Sequence, residues 1–376
     1  MKASLLMTDY KLPKPRPVVD KFEPYLPGRS LDQVKKEHGL KHAVKLASNE
    51  NPLGPSPRVV AVLRKSAECA HLYPDGFSTD LRTAVAGRAG LPLTRVTLGA
   101  GSDELIELLG RAYLTAKDRI VVSRHAFIRY RMAAEIMDAG VIEVPMGPDL
   151  KHDLAAMARA VTPETKLLFV ANPNNPTGTY NTTNEVRALL DALPGHVLPV
   201  LDEAYYEYAR TKRDYADGLA LLKEGRRLVV LRTFSKAYGM AGLRLGWGAG
   251  PEDVVDALER VRPPFNINAA AQAAGVAALA DRGHVNRSVR GMTSEMRKLE
   301  KALNARDVEW TPSAGNFLMI KTSPRPGKEV FEALIRKGVI VRSLDEYGLP
   351  GHIRVTVGLP SENRLFLKAF DETRGT

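Results

Sequence analysis

Seven short apolar runs recur along the first two thirds of the chain, and helical stretches separate most of them. The runs begin near Val96, Arg119, Val141, Leu167, Leu198, Leu228 and Leu245. Short apolar runs of this kind are typical of buried strands. Their alternation with helices predicts an α/β fold, with a mostly parallel seven-stranded sheet and helices on both faces. In such folds ligands bind at the carboxyl ends of the strands.

The pattern changes after Val261. Pro263 and Pro264 break the chain, and an alanine-rich helix over 268–279 leads into a second region of helices and short strands. We therefore expect a smaller α+β domain beside the large one. The predicted boundaries are 1–48 for an N-terminal arm that joins the small domain, 49–265 for the large domain and 266–376 for the small domain.

Composition narrows the possible functions. The chain has 376 residues and a formal net charge of +11, but its cations are scattered and form no basic run, which argues against nucleic-acid binding. The eight histidines show no metal-ligand spacing, so we expect no metal site. A single cysteine, Cys69, excludes an internal disulfide. No run is long and apolar enough for a membrane span, and the N-terminus has no signal-peptide pattern. Because a lone cysteine suits a reducing compartment, we expect a cytoplasmic protein.

The most informative stretch runs from Thr233 to Gly246 and begins Thr-Phe-Ser-Lys-Ala-Tyr-Gly-Met-Ala-Gly. Lys236 follows a buried strand, where a lysine is costly unless it has a task. Lysine forms Schiff bases with carbonyl compounds when its pKa is lowered. The hydroxyls of Thr233 and Ser235, together with Arg244, would suit a phosphate. Pyridoxal phosphate carries both an aldehyde and a phosphate. The alternative is a surface lysine in a glycine-rich loop.

A second phosphate-binding element follows the strand at Val96. The sequence Gly-Ala-Gly-Ser-Asp predicts a tight turn and then a helix capped by Ser102, with Asp103 in its first turn. Backbone N–H groups at a helix start bind phosphate, so both residues are candidates for cofactor binding. A dinucleotide-binding motif would need a third glycine at position 104, which is Glu104.

Three further strand ends carry candidate residues. Phe127 follows the strand at Arg119 and could stack on a flat ring, or could be a core phenylalanine. Asp202 ends another strand and would hold a pyridine nitrogen protonated. Tyr205, three residues later, would reach the ring's phenolic oxygen. The alternative for this Asp-Glu-Ala-Tyr sequence is a loop cap.

Taken together, these motifs resemble those of the fold-type I pyridoxal-phosphate aminotransferases. The string around Lys236 matches the lysine signature of their class II group, and Asn-Pro-Asn-Asn-Pro-Thr-Gly, 172–178, matches a second family motif. The resemblance covers about residues 22–360 and is closest to the histidinol-phosphate aminotransferases. It implies that Phe127 stacks on the cofactor and that Asn175 donates to its phenolic oxygen. We also expect at least one cis Asn-Pro bond in the second motif.

The resemblance also assigns the substrate side of the site. It implies that Arg354 binds the substrate carboxylate and Arg342 a distal phosphate, whereas the alternative for Arg342 is a surface pair with Asp345 or Glu346. Further candidates for contact with the substrate are Tyr25 and Asn49. Tyr73 is a candidate for contact with the cofactor phosphate. The family's tyrosine at the position of Tyr73 reaches into the neighbouring subunit, so a homodimer with shared active sites is implied.

The sequence thus predicts an aminotransferase that uses pyridoxal phosphate and Lys236, with histidinol phosphate as amino donor and 2-oxoglutarate as acceptor. Three alternatives remain at this stage. One is an aromatic amino-acid aminotransferase, and another is a lyase or decarboxylase on the same fold. The third is a cofactor-binding regulator without turnover, which is disfavoured because no helix-turn-helix extension flanks the domain and every catalytic position is intact.

Overall fold

The computed structural model describes residues 14–22 and 30–374. The α-helices are α1 (Leu31–His38), α2 (Pro57–Ser66), α3 (Thr79–Ala89), α4 (Ser102–Tyr113), α5 (Arg129–Glu135), α6 (Leu154–Arg159), α7 (Thr183–Ala192), α8 (Tyr206–Ala209), α9 (Gly218–Lys223), α10 (Glu252–Val261), α11 (Ala269–Ala280), α12 (Arg282–Asn304), α13 (Gly327–Arg336) and α14 (Pro360–Arg374). The strands are β1 (Val44–Lys45), β2 (Val96–Gly99), β3 (Arg119–Ser123), β4 (Gly140–Val144), β5 (Thr165–Ala171), β6 (Leu198–Asp202), β7 (Val229–Thr233), β8 (Gly246–Ala249), β9 (Trp310–Thr311), β10 (Phe317–Lys321), β11 (Val339–Ile340), β12 (Arg342–Ser343) and β13 (His352–Thr356).

The central sheet has seven strands in the order β2-β8-β7-β6-β5-β3-β4. All neighbours pair in parallel except β8, which is antiparallel to both β2 and β7. Successive side chains of a strand point to opposite faces. In β5, Leu168 and Val170 therefore enter one apolar core, and Leu167 and Phe169 enter the other. The predicted α/β class and the seven predicted strands are confirmed.

A smaller antiparallel sheet, β12-β13-β10-β9, lies in the C-terminal part of the chain. Its own core contains Leu318, Ile320 and Val355, covered by helices such as α14. The segment from α1 to β1 belongs here, because β1 pairs with β11 and Val34 packs on Ile335. The assignment of the whole N-terminal arm, 1–48, to the smaller domain stays a prediction.

Helices α11 and α12 connect the two parts. Helix α11 follows the predicted boundary at residue 265, yet it buries Ala271 and Ala274 in the core of the large sheet. Helix α12 then continues into the small domain, where Leu299 and Leu303 are buried. The boundary itself stays a prediction. Across the described residues, none of the helices combines the length and the apolar character that crossing a membrane requires.

One close backbone contact fixes the loop after β7. Gly239 has a φ of +71°, and a Cβ atom placed there would lie 2.2 Å from the carbonyl oxygen of Gly54. Only glycine fits, since both the backbone conformation and the space exclude a side chain. By contrast, Gly242 is exposed and a Cβ there would meet nothing within 4 Å.

We predict that Gly239→Ala lowers the free energy of unfolding by about 1–3 kcal/mol, the usual cost of one strained backbone position. Gly242→Ala is the matched control and should change it by less than about 0.5 kcal/mol. Chemical denaturation of both variants measures the difference. Equal stability of the two variants would contradict the close contact.

Candidate active site

The predicted site residues meet in a cleft of about 1080 Å³ at the carboxyl ends of the large-sheet strands. Its lining includes Asn49, Ser102, Asp103, Phe127, Asn175, Asp202, Tyr205, Thr233, Ser235, Lys236, Arg244, Arg342 and Arg354. These side chains come from positions spread over some three hundred residues of chain. Their convergence on one cleft supports the predicted site, while the role of each residue stays a prediction.

Lys236 lies half-buried at the end of β7. Its Nζ atom donates a hydrogen bond to the carbonyl oxygen of Ser48 at 3.0 Å. Burial, and after it the nearby Arg354 guanidinium, lowers the pKa of Lys236 to about 7. Glu50 opposes this shift, and Arg244 adds to it. Near neutral pH a large fraction of this amine is therefore uncharged and able to act as a nucleophile or a base.

Asp202 is buried at the end of β6, and both of its carboxylate oxygens accept hydrogen bonds. Tyr130 Oη donates to Oδ2 at 2.7 Å, and the Ala204 amide donates to Oδ1 at 3.1 Å. Burial raises the pKa of Asp202 to about 6, although the Tyr130 hydrogen bond counteracts this. At pH 7 the carboxylate is mostly ionised and can pair with a cationic ring nitrogen.

Tyr130 is a site residue that the sequence analysis missed. Its ring is buried and stacks on Phe169 with centroids 4.7 Å apart, which fixes the direction of its hydroxyl. Phe127 forms an edge contact with the same ring at 5.8 Å. The only sequence signal was an aromatic residue three positions after Phe127, which by itself does not indicate a contact with Asp202.

A group of anion-binding donors lies beside Lys236. Gly101, not Ser102, occupies the N-cap of α4, so the expectation that Ser102 caps the helix was wrong. Ser102 is the first helical residue instead, and without a capping side chain the helix-start amides can bind an anion. Arg244 Nη1 donates to Ser235 Oγ at 3.4 Å, and Thr233 Oγ1 donates to the same Ser235 oxygen at 3.0 Å.

Gly101 has a positive φ of +83°. Because Gly101 has no side chain, the Arg244 guanidinium can lie close to its backbone. A Cβ atom at Gly101 would lie 2.7 Å from Arg244 Nη2. Asp103 is held by another residue that the sequence analysis missed, since Arg129 Nε donates to its Oδ1 at 2.6 Å. Arg129 also lines the cleft.

Arg354 is buried on β13 with one donor unmatched. Its Nη1 donates to Asn175 Oδ1 and its Nη2 to the Ala47 carbonyl oxygen. Its Nε finds no hydrogen-bond partner among the described residues, although it is fully buried. Such an unmatched donor is costly. The guanidinium itself lines the cleft, where it is suited to bind a carboxylate. Both Asn172-Pro173 and Asn175-Pro176 are cis, as predicted for at least one of them.

Tyr205 and Asn49 form a buried pair in the lining of the cleft. Asn49 Nδ2 donates to the Tyr205 hydroxyl oxygen at 2.8 Å. The Asn49 carbonyl oxygen accepts from Asn316, and its amide donates to Thr356, so the small domain holds this residue. Burial raises the pKa of Tyr205 to about 12, so the hydroxyl keeps its proton and can donate to an oxygen of a bound ring.

Arg342 and Arg354 are register partners on the neighbouring strands β12 and β13. Because side chains of directly opposed residues lie on the same face of a sheet, both guanidiniums face the cleft. Arg342 Nε donates to Glu346 Oε1 at 3.0 Å, and this half-exposed ion pair lies in the cleft wall. The ion pair with Glu346, the predicted alternative for Arg342, is therefore present, and phosphate binding by Arg342 stays a prediction.

One predicted residue, Tyr73, does not line the cleft of its own subunit. Tyr73 is 85% exposed and stacks on Phe265, with centroids 4.9 Å apart. Tyr25 lies outside the described residues, so its role stays a prediction.

The donor set of the cleft fits pyridoxal phosphate. It offers a partly neutral lysine for the aldehyde and a buried carboxylate for the ring nitrogen. Beside them lie the hydroxyl and guanidinium donors for a phosphate, together with an amide-bearing helix start. Each polar group of the cofactor thus has a chemically matched side chain.

Comparisons with known proteins agree with this chemistry. Residues 41–370 match the family model of aminotransferase class I and II. The histidinol-phosphate aminotransferase of Anaeromyxobacter sp. (strain Fw109-5) is 45% identical over 97% of this chain and 100% of its own length. Histidinol-phosphate aminotransferase 2 of Methylococcus capsulatus is 44% identical, over 94% of this chain and 96% of its own.

Two solved aminotransferase structures have the same fold as this chain. The histidinol-phosphate aminotransferase of Sinorhizobium meliloti, in complex with pyridoxal-5'-phosphate, has a TM-score of 0.86 at 26% identity, covering 97% of this chain and 99% of that one. An aspartate aminotransferase of Thermus thermophilus shows the shared fold, with a TM-score of 0.83 at 23% identity. The match covers 96% of this chain and 100% of that one. The chain therefore belongs to the class I and II aminotransferases, a family of pyridoxal-phosphate-dependent transaminases.

Proposed function

We propose that this enzyme transfers the amino group of histidinol phosphate to 2-oxoglutarate, as a cytoplasmic enzyme of histidine biosynthesis. The observation that carries the proposal is the pairing of Arg342 with Arg354 across β12 and β13. Two cations in one cleft suit a substrate with an anionic tail and an acceptor with two carboxylates. The relatives named above, at 44–45% identity over nearly the whole chain, support the same substrate.

The chain's own residues would hold the cofactor as follows. Lys236 would bind its aldehyde carbon, and Asp202 would pair with its ring nitrogen. Tyr205 and Asn175 would donate to its phenolic oxygen, and Phe127 would cover the ring. The phosphate would be bound by Ser235, Arg244 and the start of α4. When bound, pyridoxal phosphate supplies a carbonyl for amino transfer and a ring that withdraws electrons.

Lys236 moves the proton in this proposal. Its lowered pKa leaves the Nζ atom partly neutral at pH 7, so the amine can take a proton from the substrate carbon and return it. Arg354 would bind the substrate carboxylate through its guanidinium, which lines the cleft. For Arg342 to bind a phosphate it must leave Glu346, an exchange of one anion for another on the same guanidinium.

We also propose a homodimer in which Tyr73 serves the site of the other subunit. Tyr73, Leu72, Phe77 and Phe265 are all exposed apolar side chains, from two loops that meet in the Tyr73–Phe265 stack. Exposed clusters of large apolar side chains are typical of protein interfaces. A second copy of the chain would cover these side chains and bring Tyr73 to a phosphate.

The substrate prediction concerns Arg342→Ala. Loss of a charge-assisted contact should lower kcat/KM for histidinol phosphate by about ten- to a hundredfold. The kcat/KM for phenylalanine should change much less, because phenylalanine has no distal anion. Arg336→Ala, an exposed arginine outside the cleft, is the control and should leave both values unchanged.

Steady-state kinetics with both donors, and 2-oxoglutarate as acceptor, measure these values. If phenylalanine is the better donor of the wild-type enzyme and Arg342→Ala affects both donors alike, the enzyme is an aromatic amino-acid aminotransferase instead.

The second prediction concerns Tyr130→Phe. Because the Tyr130 hydroxyl lowers the pKa of Asp202, its removal should raise that pKa from about 6 by about one unit or more. Infrared difference spectra of the cofactor-free protein follow the carboxyl band during a pH titration, and Asp202→Asn identifies the band. The midpoint of the acidic limb of the pH–activity profile should shift to higher pH together with the pKa of Asp202. An unchanged midpoint would exclude the Tyr130 hydrogen bond.

The third prediction tests the shared site. Tyr73→Ala and Lys236→Ala homodimers should each be impaired. A mixed dimer contains one site with both native residues, so random re-assembly of equal amounts should restore about a quarter of the wild-type activity. Sedimentation confirms that dimers have formed. No gain above the activity of the separate variants would show that Tyr73 acts within its own subunit.

A further inference from the structure

Thr356 is a buried threonine at the end of β13, and the proposed reaction assigns no role to it. Its register partner on β10 is Phe317, whose ring packs against the ring of Tyr205 with centroids 5.2 Å apart. Asn49 connects Thr356 to the Tyr205 hydroxyl, since its side chain is hydrogen-bonded to both. The small antiparallel sheet thus holds Tyr205 at two points, at its ring directly and at its hydroxyl through Asn49.

Two hydrogen bonds join Thr356 to Asn49. The Asn49 backbone N–H donates to Thr356 Oγ1 at 2.9 Å, and Thr356 Oγ1 donates to Asn49 Oδ1 at 3.0 Å. Thr356 can donate its hydroxyl proton to Asn49 only when the oxygen of the Asn49 amide faces it, because the amide nitrogen is a donor itself. Thr356 therefore distinguishes the two ends of the Asn49 amide and sets its orientation.

The orientation of the Asn49 amide decides the direction of the Tyr205 proton. With Oδ1 on Thr356, Nδ2 faces Tyr205 and donates to its hydroxyl oxygen at 2.8 Å. The Tyr205 proton then cannot point toward Asn49, and the hydroxyl donates to no other group among the described residues. Because Tyr205 lines the cleft, this proton is available to an oxygen of a bound ring.

Burial keeps water from replacing these hydrogen bonds. Asn49, Thr356 and Tyr205 are 1%, 3% and 4% exposed. If the Asn49 amide were reversed, Tyr205 would donate to Oδ1 instead of the bound ring. The Thr356 proton would also lose its acceptor, which is costly for a buried hydroxyl. The observed orientation is thus the one in which every proton of the three side chains has a use.

We propose that Thr356 is a positioning residue of the reaction, which through Asn49 directs the hydroxyl proton of Tyr205 toward the bound cofactor. This inference rests on the proposed contact between Tyr205 and the phenolic oxygen of pyridoxal phosphate. A donor at that oxygen stabilises its negative charge, which grows when the nitrogen that joins Lys236 to the cofactor loses its proton. Loss of the donor should therefore raise the pKa of that nitrogen.

The test is a pH titration of the holoenzyme, followed by the visible absorption of the bound cofactor, which changes when that nitrogen loses its proton. Thr356→Val removes the hydroxyl at nearly constant volume and leaves the Asn49 amide free to reverse. We expect the titration midpoint to rise by about one unit, the effect of one lost hydrogen bond. Thr356→Ser keeps a hydroxyl and should have the wild-type midpoint.

Two further variants serve as controls. Tyr205→Phe removes the donor itself, so its midpoint should rise at least as far as that of Thr356→Val. Thr322→Val removes another buried threonine hydroxyl, which donates to the carbonyl oxygen of Arg325 at 2.8 Å and does not line the cleft. It should lower Tm but leave the midpoint unchanged.

If Thr356→Val does not bind the cofactor, Asn49→Asp provides the same test. Aspartate tolerates the left-handed backbone conformation of Asn49, whose φ is +55°. A carboxylate accepts from both hydroxyls. The Tyr205 proton would then turn away from the ring, and the midpoint should again rise.

Three results would overturn the proposal while the role of Tyr205 stands, with a raised midpoint in Tyr205→Phe. The first is an unchanged midpoint in Thr356→Val, or in Asn49→Asp where that variant replaces it. The second is a rise in Thr356→Ser equal to that in Thr356→Val. The third is an equal rise in Thr322→Val. An unchanged midpoint in Tyr205→Phe would instead contradict the proposed contact between Tyr205 and the cofactor, and the inference with it.

Discussion

Burial of the Lys236 amine beside two arginines is the interaction on which the rest of the site depends. Desolvation disfavours the ammonium form, and the positive charges of Arg354 and Arg244 disfavour it further, so that the pKa falls to about 7. The two arginines are also the groups suited to bind a carboxylate and a phosphate. One set of cations therefore activates the lysine and attracts the anions. Anions bound there would in turn weaken the repulsion on Lys236.

The segment from Ala47 to Asn49 connects these groups across the two domains. The Ala47 carbonyl oxygen accepts from Arg354 of the small domain, and the Ser48 carbonyl oxygen accepts from Lys236 of the large one. Asn49 bonds both Tyr205 and Thr356. Three consecutive residues thus fix the distance between the lysine and the arginine. A movement of one domain against the other would change this segment before it changed either core.

The sequence predicted those features that are local in the chain. Lys236, Asp202 and Asn175 all stand at or just beyond strand ends, where a polar residue after an apolar run is visible without knowledge of the fold. Contacts between distant segments were not predictable in this way. The hydrogen bond from Tyr130 to Asp202 joins residues 72 positions apart, and nothing in the sequence around Tyr130 indicates that distant partner.

Ser102 illustrates a different reason for error. Serine is a preferred N-cap residue, so a serine after a glycine turn predicts a cap. Here the positive φ of Gly101 places the turn one residue earlier and moves Ser102 into the helix. Space for Arg244 requires glycine at that position, and this tertiary requirement overrides the local preference of serine.

The central claim is that Lys236 alone holds the cofactor. Borohydride reduction of the holoenzyme fixes the cofactor covalently on the amine that carries it, and peptide mass spectrometry after proteolysis locates that amine. We expect one pyridoxyl group per chain, on the peptide that contains Lys236. Its recovery on another lysine, or the absence of any modified peptide from a protein that had bound the cofactor, would contradict the account.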